Sequence, residues 1–114
     1  MKKLSVAAIA REQSRKAAAA GSGRSADTVY GGHEKALRQT VIALTAGTSL
    51  AEHENPGEAT ILVLEGRVRL ISAAASWEGR KDDLLVVPPD RHSLEALTDA
   101  AVLLTVAKQI YNHR

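Results

Sequence analysis

The chain has 114 residues, with 15 basic and 13 acidic side chains, no cysteine, no phenylalanine, one tryptophan and two tyrosines. This length fits one domain with a core of Val, Leu, Ile and Ala, and the net charge of +2 argues against a nucleic-acid partner. The lack of cysteine excludes disulfides, thiolate metal sites and thiol nucleophiles, and it fits a reducing compartment.

The N-terminal segment carries a helix pattern. Residues 4–10 are mostly apolar, but charged residues end the run at the short limit of an export signal. Nothing in the chain approaches the roughly 20 apolar residues of a membrane span, so we expect a cytoplasmic protein without a membrane segment. Ser5 as a cap, a run of alanines and the Gly21-Ser22-Gly23 stop predict a helix over residues 5–20. Its narrow apolar face places it outside the core.

Short strand patterns fill the rest of the chain. A strand is expected at residues 28–30, before two glycines. Further segments rich in Val, Ile, Leu and Thr lie between turn residues at 37–45, 49–54, 59–64, 67–72, 83–87, 93–97 and 102–107. No helical segment interrupts them, which predicts an antiparallel sandwich or barrel. Because side chains alternate along a strand, Ile61 and Val63 should share one face, as should Val68 and Leu70.

Two stretches resemble the motifs of the cupin superfamily. Gly47 followed by HENPGEATILVLEG, residues 53–66, resembles the first motif, G-x5-H-x-H-x3,4-E-x6-G. LLVVPPDRH, residues 84–92, resembles the second, G-x5-P-x-G-x2-H-x3-N, with Asp82 and Asp90 at its two glycine positions. The match is specific in its glycine and proline scaffold.

The resemblance covers residues 36–107 and implies an antiparallel, jelly-roll-like cupin barrel. Together with the helix predicted at residues 5–20, this gives an all-β fold with an N-terminal helix. The strand at 67–72 and a polar loop containing Trp77 and Gly79 would join the two motifs. The domain boundaries that follow are a helix and connector at 1–26, the barrel at 27–108 and a tail at 109–114.

The resemblance also implies four metal ligands, of which this sequence keeps two. His53 stands at the first histidine position, and Asn55 replaces the second histidine. Ala59 occupies the glutamate position, with Glu58 one residue away, and His92 arrives one residue early. An amide oxygen is a poor donor to a transition metal, and alanine donates nothing.

We therefore expect no tightly bound metal and no cofactor. If a divalent transition metal binds at all, it binds weakly, through His53 and His92. The sequence favours a binding protein over an enzyme, with His53, Asn55 and His92 as the polar groups of a pocket for an unidentified, mostly apolar small molecule.

Other interpretations stay open. One is a metal-dependent cupin enzyme, an oxygenase or isomerase, whose third ligand comes from Glu58, His33 or the substrate. Another is a scaffold that only dimerises, in which His53 is a hydrogen-bonded residue at the barrel rim. Arg38 and Gln39 lie on opposite faces of one strand, and an inward-facing arginine would suit a carboxylate ligand.

A homodimer is also expected, because a small barrel leaves strand edges that need covering. Residues 27–31 are the expected contact, with the helix of residues 5–20 packed over the joint.

Overall fold

The computed structural model describes residues 2–53 and 57–108 of the chain. Within these residues the chain forms one helix and nine strands: α1 (Val6–Ala19), β1 (Arg24–Tyr30), β2 (Leu37–Leu44), β3 (Ser49–His53), β4 (Gly57–Glu65), β5 (Arg67–Ser72), β6 (Ser76–Arg80), β7 (Leu84–Val86), β8 (His92–Ala96) and β9 (Ala100–Lys108). The fold is therefore all-β with an N-terminal helix, as the sequence predicted. β1 is longer than the strand expected at residues 28–30.

The strands form two sheets in which neighbouring strands run antiparallel. The first has the order β1-β2-β9-β4-β7, and the second has the order β3-β8-β5-β6. Aliphatic side chains from the facing sides of both sheets make one buried core, to which Ile61 and Val63 contribute from one sheet and Val68 and Leu70 from the other. The predicted pairing of faces is thus confirmed, since each pair points into the space between the sheets.

The segment expected to be a polar loop is a strand. β6 pairs antiparallel with β5, placing Trp77 opposite Leu70 and Gly79 opposite Val68. The inward-facing positions of β6 are Trp77 and Gly79. Trp77 is 48% exposed at the sheet edge and glycine has no side chain, so the sequence shows no apolar alternation here. Gly79 is buried, and a Cβ added there would lie 3.1 Å from the Leu85 side chain, so a larger residue would crowd the core.

Helix α1 covers the outer face of the five-stranded sheet. The Ser5 hydroxyl accepts a hydrogen bond from the Ala8 amide at 3.2 Å, which confirms the predicted N-cap. Ala10 packs against Val41 and Ala101 in a second, smaller apolar cluster on that outer face. The helix therefore lies outside the barrel, as expected from its narrow apolar face. No helix within the described parts of the chain is long and apolar enough to cross a membrane.

Three scaffold positions of the two motifs have a left-handed backbone. Gly47 and Gly66 of the first motif have φ values of 84° and 75°, and Asp82 at the opening glycine position of the second has 76°. A Cβ at Gly66 would also lie 2.1 Å from the Asp99 carbonyl oxygen. Asp82 is the one non-glycine residue with positive φ in the described structure, in a conformation that Asp tolerates better than most residues. The match to the motifs therefore reflects real backbone requirements.

Candidate functional site

The barrel has two distinct ends. At the first, which we call the hairpin end, β4 turns into β5 at Gly66. At the opposite end, which we call the mouth, β2, β4 and β8 begin and β3, β5 and β9 end. The antiparallel pairing of β3 with β8 brings both cupin-like histidine positions to the mouth. The mouth is therefore the candidate functional site.

A ring of inward-facing residues near this end, one inward position inside the final β4–β9 pair of Gly57 and Lys108, forms what we call the mouth layer. In the five-stranded sheet, Val106 pairs with Arg38 on one side and with Ala59 on the other, and the Val87 amide donates to the Ala59 carbonyl at 3.0 Å. In the four-stranded sheet, Ser72 pairs with His92. The layer consists of Arg38, Ala59, Ser72, Val87, His92 and Val106. Three of these side chains are aliphatic and three are polar.

His92 is the buried polar residue of this layer. Only 6% of it is exposed, and its Nδ1 lies 3.0 Å from the Asp90 carbonyl oxygen. Because a carbonyl oxygen can only accept, Nδ1 carries the proton and donates it in this hydrogen bond. The bond fixes the orientation of the ring at the start of β8.

The barrel interior beneath His92 is nearly filled. The cavity there has a volume of about 20 Å³, which is room for about one water molecule. Besides His92, it is lined by Ile42, Leu50, Ile61, Leu94, Val102 and Leu104. A ligand that contacts His92 must therefore sit in the mouth layer and above it, because the interior has no space for one.

The other two predicted site residues can be placed only in part. The backbone of His53 lies directly opposite that of His92 in the β3–β8 pair, just after a register shift that follows Leu50. The strand pairing thus brings the two histidine positions side by side. The described structure does not include the His53 side chain, and Asn55 lies outside the described residues.

The described residues do not fit a cupin metal site. Ala59, at the position of the glutamate ligand, is buried in the core and offers no donor atom. Glu58 pairs with Ala107, lies on the outer face of β4 and is exposed, so it cannot share a coordination sphere with His92. Among the side chains that the structure describes, no three His, Asp or Glu residues lie close enough to hold a metal.

The third ligand that the enzyme interpretation requires is also not found at His33. This residue lies in the loop between β1 and β2 and is exposed, and its carbonyl accepts a hydrogen bond from the Lys108 ammonium at 3.0 Å. Within the described residues, neither of the proposed third ligands, Glu58 or His33, joins His92 in a group that could hold a metal.

Strand register answers a question that the sequence left open. Arg38 pairs with the buried Val106 and so faces the barrel interior, whereas Gln39 faces outward, where its amide donates to the Thr105 hydroxyl at 3.2 Å. Arg38 therefore belongs to the mouth layer. Composition and alternation alone could not show that it faces the interior. Ser72 was missed altogether, because a serine at a strand end carries no distinctive signal.

Comparison with solved structures supports the fold. A conserved Streptococcus pyogenes protein of unknown function matches with a TM-score of 0.72 and 22% identity, over 81% of this chain and 80% of that one. An RmlC-like cupin protein from Desulfovibrio desulfuricans matches with a TM-score of 0.64 and 27% identity, over 74% and 81%. A cupin 2 conserved barrel protein from Leptotrichia buccalis matches with a TM-score of 0.68 and 25% identity, over 75% of this chain and 41% of that one.

No family model and no curated protein matches the chain. The structural neighbours nevertheless confirm the resemblance drawn from the two motifs: the chain folds as a small cupin domain. The neighbours establish the architecture alone, because one fold can support many functions.

Proposed function

We propose that this cupin domain binds a small, mostly apolar molecule at the mouth of its barrel, without a tightly held metal. The observation that carries the proposal is the buried His92, set among aliphatic side chains on the inward face of the mouth layer. Ligand pockets typically combine an apolar lining with a few oriented polar groups. Ala59, Val87 and Val106 supply the apolar part, and His53, Asn55 and His92 are the proposed polar groups.

The filled interior restricts the ligand. With room for about one water molecule beneath His92, the binding site has to be shallow and formed by the mouth layer and the segments at its rim. A shallow site favours a ligand of few atoms that leaves part of its surface in solvent. It does not favour a large molecule enclosed by the barrel.

The absence of a carboxylate at Ala59 supports binding without a metal. A catalytic metal generally keeps about three protein ligands, and a structural one about four. Replacing a glutamate by alanine removes a donor and a negative charge, which weakens any bound dication. Elemental analysis of protein purified without chelator should give well under one transition metal per chain. A stoichiometric metal bound at His92 would overturn this part of the proposal.

A ligand screen tests the binding itself. Melting temperatures should be measured with a library of small molecules for the parent protein, for His92→Gln and for His33→Gln. His33→Gln is the matched control, because His33 is exposed in a loop at the same end of the barrel. We expect at least one compound to stabilise the parent and the control by mass action, with the shift lost in His92→Gln. Equal shifts in all three proteins would place the site elsewhere.

We also propose that the protein is a homodimer joined through β1. β1 is an edge strand whose second edge has no partner within the described chain. Ala26 and Thr28, which the register with β2 places on its inward face, are exposed. Exposed strand edges are common sites of pairing between chains. Sedimentation at micromolar concentration should give the mass of two chains, and a one-chain mass would rule the dimer out.

The location of the protein stays a prediction. We propose the cytoplasm, in keeping with the absence of cysteine, and fractionation of cells that express the protein would test it.

A further inference from the structure

We propose that the molecule bound at the mouth carries a carboxylate group, and that Arg38 binds it. This inference rests on the proposed function, since it assigns a chemical class to the ligand of the same site. Its basis is the position, burial and contacts of Arg38.

The position of Arg38 directs its side chain into the mouth. It alternates with Ile42 and Leu44 on the inward face of β2, both of which belong to the barrel core. Its cross-strand partner is Val106, which is 4% exposed and faces the same interior. Arg38 is partly buried, and long cationic side chains in such positions generally bury the aliphatic stem and keep the guanidinium in solvent.

The guanidinium of Arg38 has no acceptor in the described protein. None of the ion pairs and none of the hydrogen bonds found there involves its side chain. Other arginines differ: Arg69 contacts Glu78 and Glu95, and Arg24 donates to the Ser49 carbonyl. A partly buried guanidinium offers five N–H donors in a planar fork that matches a carboxylate, so an external acceptor would satisfy it.

Two charged residues at this end of the five-stranded sheet do not take this role from Arg38. Lys108, the neighbouring cation at this end of β9, donates its ammonium to the carbonyls of Gly32 and His33 at 2.8 and 3.0 Å. Glu58 lies on the outer face of its sheet and cannot neutralise a charge on the inner face. Arg38 is therefore the one permanently charged member of the mouth layer as defined above.

One cation among aliphatic side chains selects a monoanion. A phosphate group, which carries up to two negative charges, usually draws on several donors, whereas a single arginine fork matches one carboxylate. Val106 beside Arg38, with Ala59 and Val87 on the next strands of the same layer, would contact the aliphatic part of the same ligand. The chemical class that fits is a short aliphatic monocarboxylic acid.

Matched pairs of ligands test the assignment. Short aliphatic monocarboxylic acids and their primary amides should be compared by thermal shift and titration calorimetry at constant ionic strength. The proteins are the parent, Arg38→Gln, Arg38→Lys and Arg67→Gln. Arg67→Gln is the control, because it removes the same charge from an exposed position at the hairpin end.

We expect at least one acid to bind the parent and Arg67→Gln equally, and to bind Arg38→Gln about 10- to 100-fold more weakly. Arg38→Lys should bind with intermediate affinity, because it keeps the charge and loses the fork. The matched amide should bind the parent about as weakly as the acid binds Arg38→Gln.

The remaining outcomes separate the two proposals. If acids and amides bind alike and Arg38→Gln changes neither, the carboxylate assignment is wrong and binding at the mouth stands. If inorganic phosphate binds through Arg38 and the acids do not, the assignment is also wrong. If no compound from the wider library binds, the proposed function fails, and the carboxylate inference fails with it.

Discussion

The two ends of the barrel differ in what their inward-facing positions carry. Near the hairpin end, the paired positions hold buried aliphatic residues such as Val63 with Val102 and Val68 with Ala96. At the mouth the inward-facing positions of β2, β5 and β8 hold Arg38, Ser72 and His92. The barrel therefore has two environments. Along β5 and β8 the inward-facing side chains change from aliphatic to polar within about two inward positions.

This difference separates stability from binding. The hairpin end and the barrel centre have close-packed apolar side chains, so changes there should lower the free energy of unfolding. The mouth has polar groups that the core does not need, so changes there should alter binding while the fold persists. Effects on stability should therefore be largest in the barrel centre and smallest at the mouth.

The largest effect is expected in the barrel centre. Leu70 is fully buried, and Leu70→Ala should lower the free energy of unfolding by about 2–5 kcal/mol through lost transfer energy and the cavity left behind. The matched control is Leu84→Ala, since Leu84 is 59% exposed on β7 and should cost within about 0.5 kcal/mol. Urea unfolding of both variants measures the difference. Equal losses would mean that the barrel centre is not the main core.

The second effect concerns the turn between β6 and β7 at the hairpin end. Asp82 has a φ of 76°, a conformation that disfavours β-branched residues. Asp82→Val should therefore destabilise the protein by about 1–2 kcal/mol. Asp82→Gly should stay within about 1 kcal/mol of the parent, because glycine adopts this conformation without steric cost but loses more entropy on folding. Chemical denaturation measures the stabilities of the two variants. Equal stability of Asp82→Val and Asp82→Gly would contradict this prediction.

The third effect concerns the helix that packs outside the barrel. Ser5→Ala removes the hydroxyl that accepts from the Ala8 amide, which should cost about 1 kcal/mol. Ser5→Asp should retain the cap and the stability. Since the helix covers the outer face of the sheet, ligand affinity at the mouth should be the same in all three proteins. A loss of affinity in Ser5→Ala would show that the two regions are coupled.

The smallest effect on stability is expected at the mouth. Arg38→Gln removes a guanidinium that has no acceptor in the described protein, so the free energy of unfolding should change by no more than about 0.5 kcal/mol. Thermal and urea unfolding without ligand measure this. A loss of the size expected for Leu70→Ala would mean that Arg38 is a structural residue, and the separation of the two ends would fail.

Much of the architecture was predictable from local sequence signals. The Ser5 cap and the glycine stop set the helix bounds to within one residue, and turn residues marked most strands. The first-motif positions Gly47 and Gly66 are left-handed, as glycines that shape turns often are. These features depend on residues close in sequence, which is why a single chain reveals them. β6 was missed because its inward positions hold an edge Trp77 and Gly79, so no apolar alternation was visible.

The site depended on the tertiary structure. Because side chains alternate along a strand, Arg38 and Gln39 must face opposite sides of the sheet, as must Glu58 and Ala59. Alternation alone does not determine which residue of each pair faces the interior. Only the pairing of β2 and β4 with β9, together with the second sheet that covers one of their faces, turns Arg38 and Ala59 inward and Glu58 outward. The sequence by itself determined which residues alternate, and long-range strand pairing decided which of them share the mouth with His92.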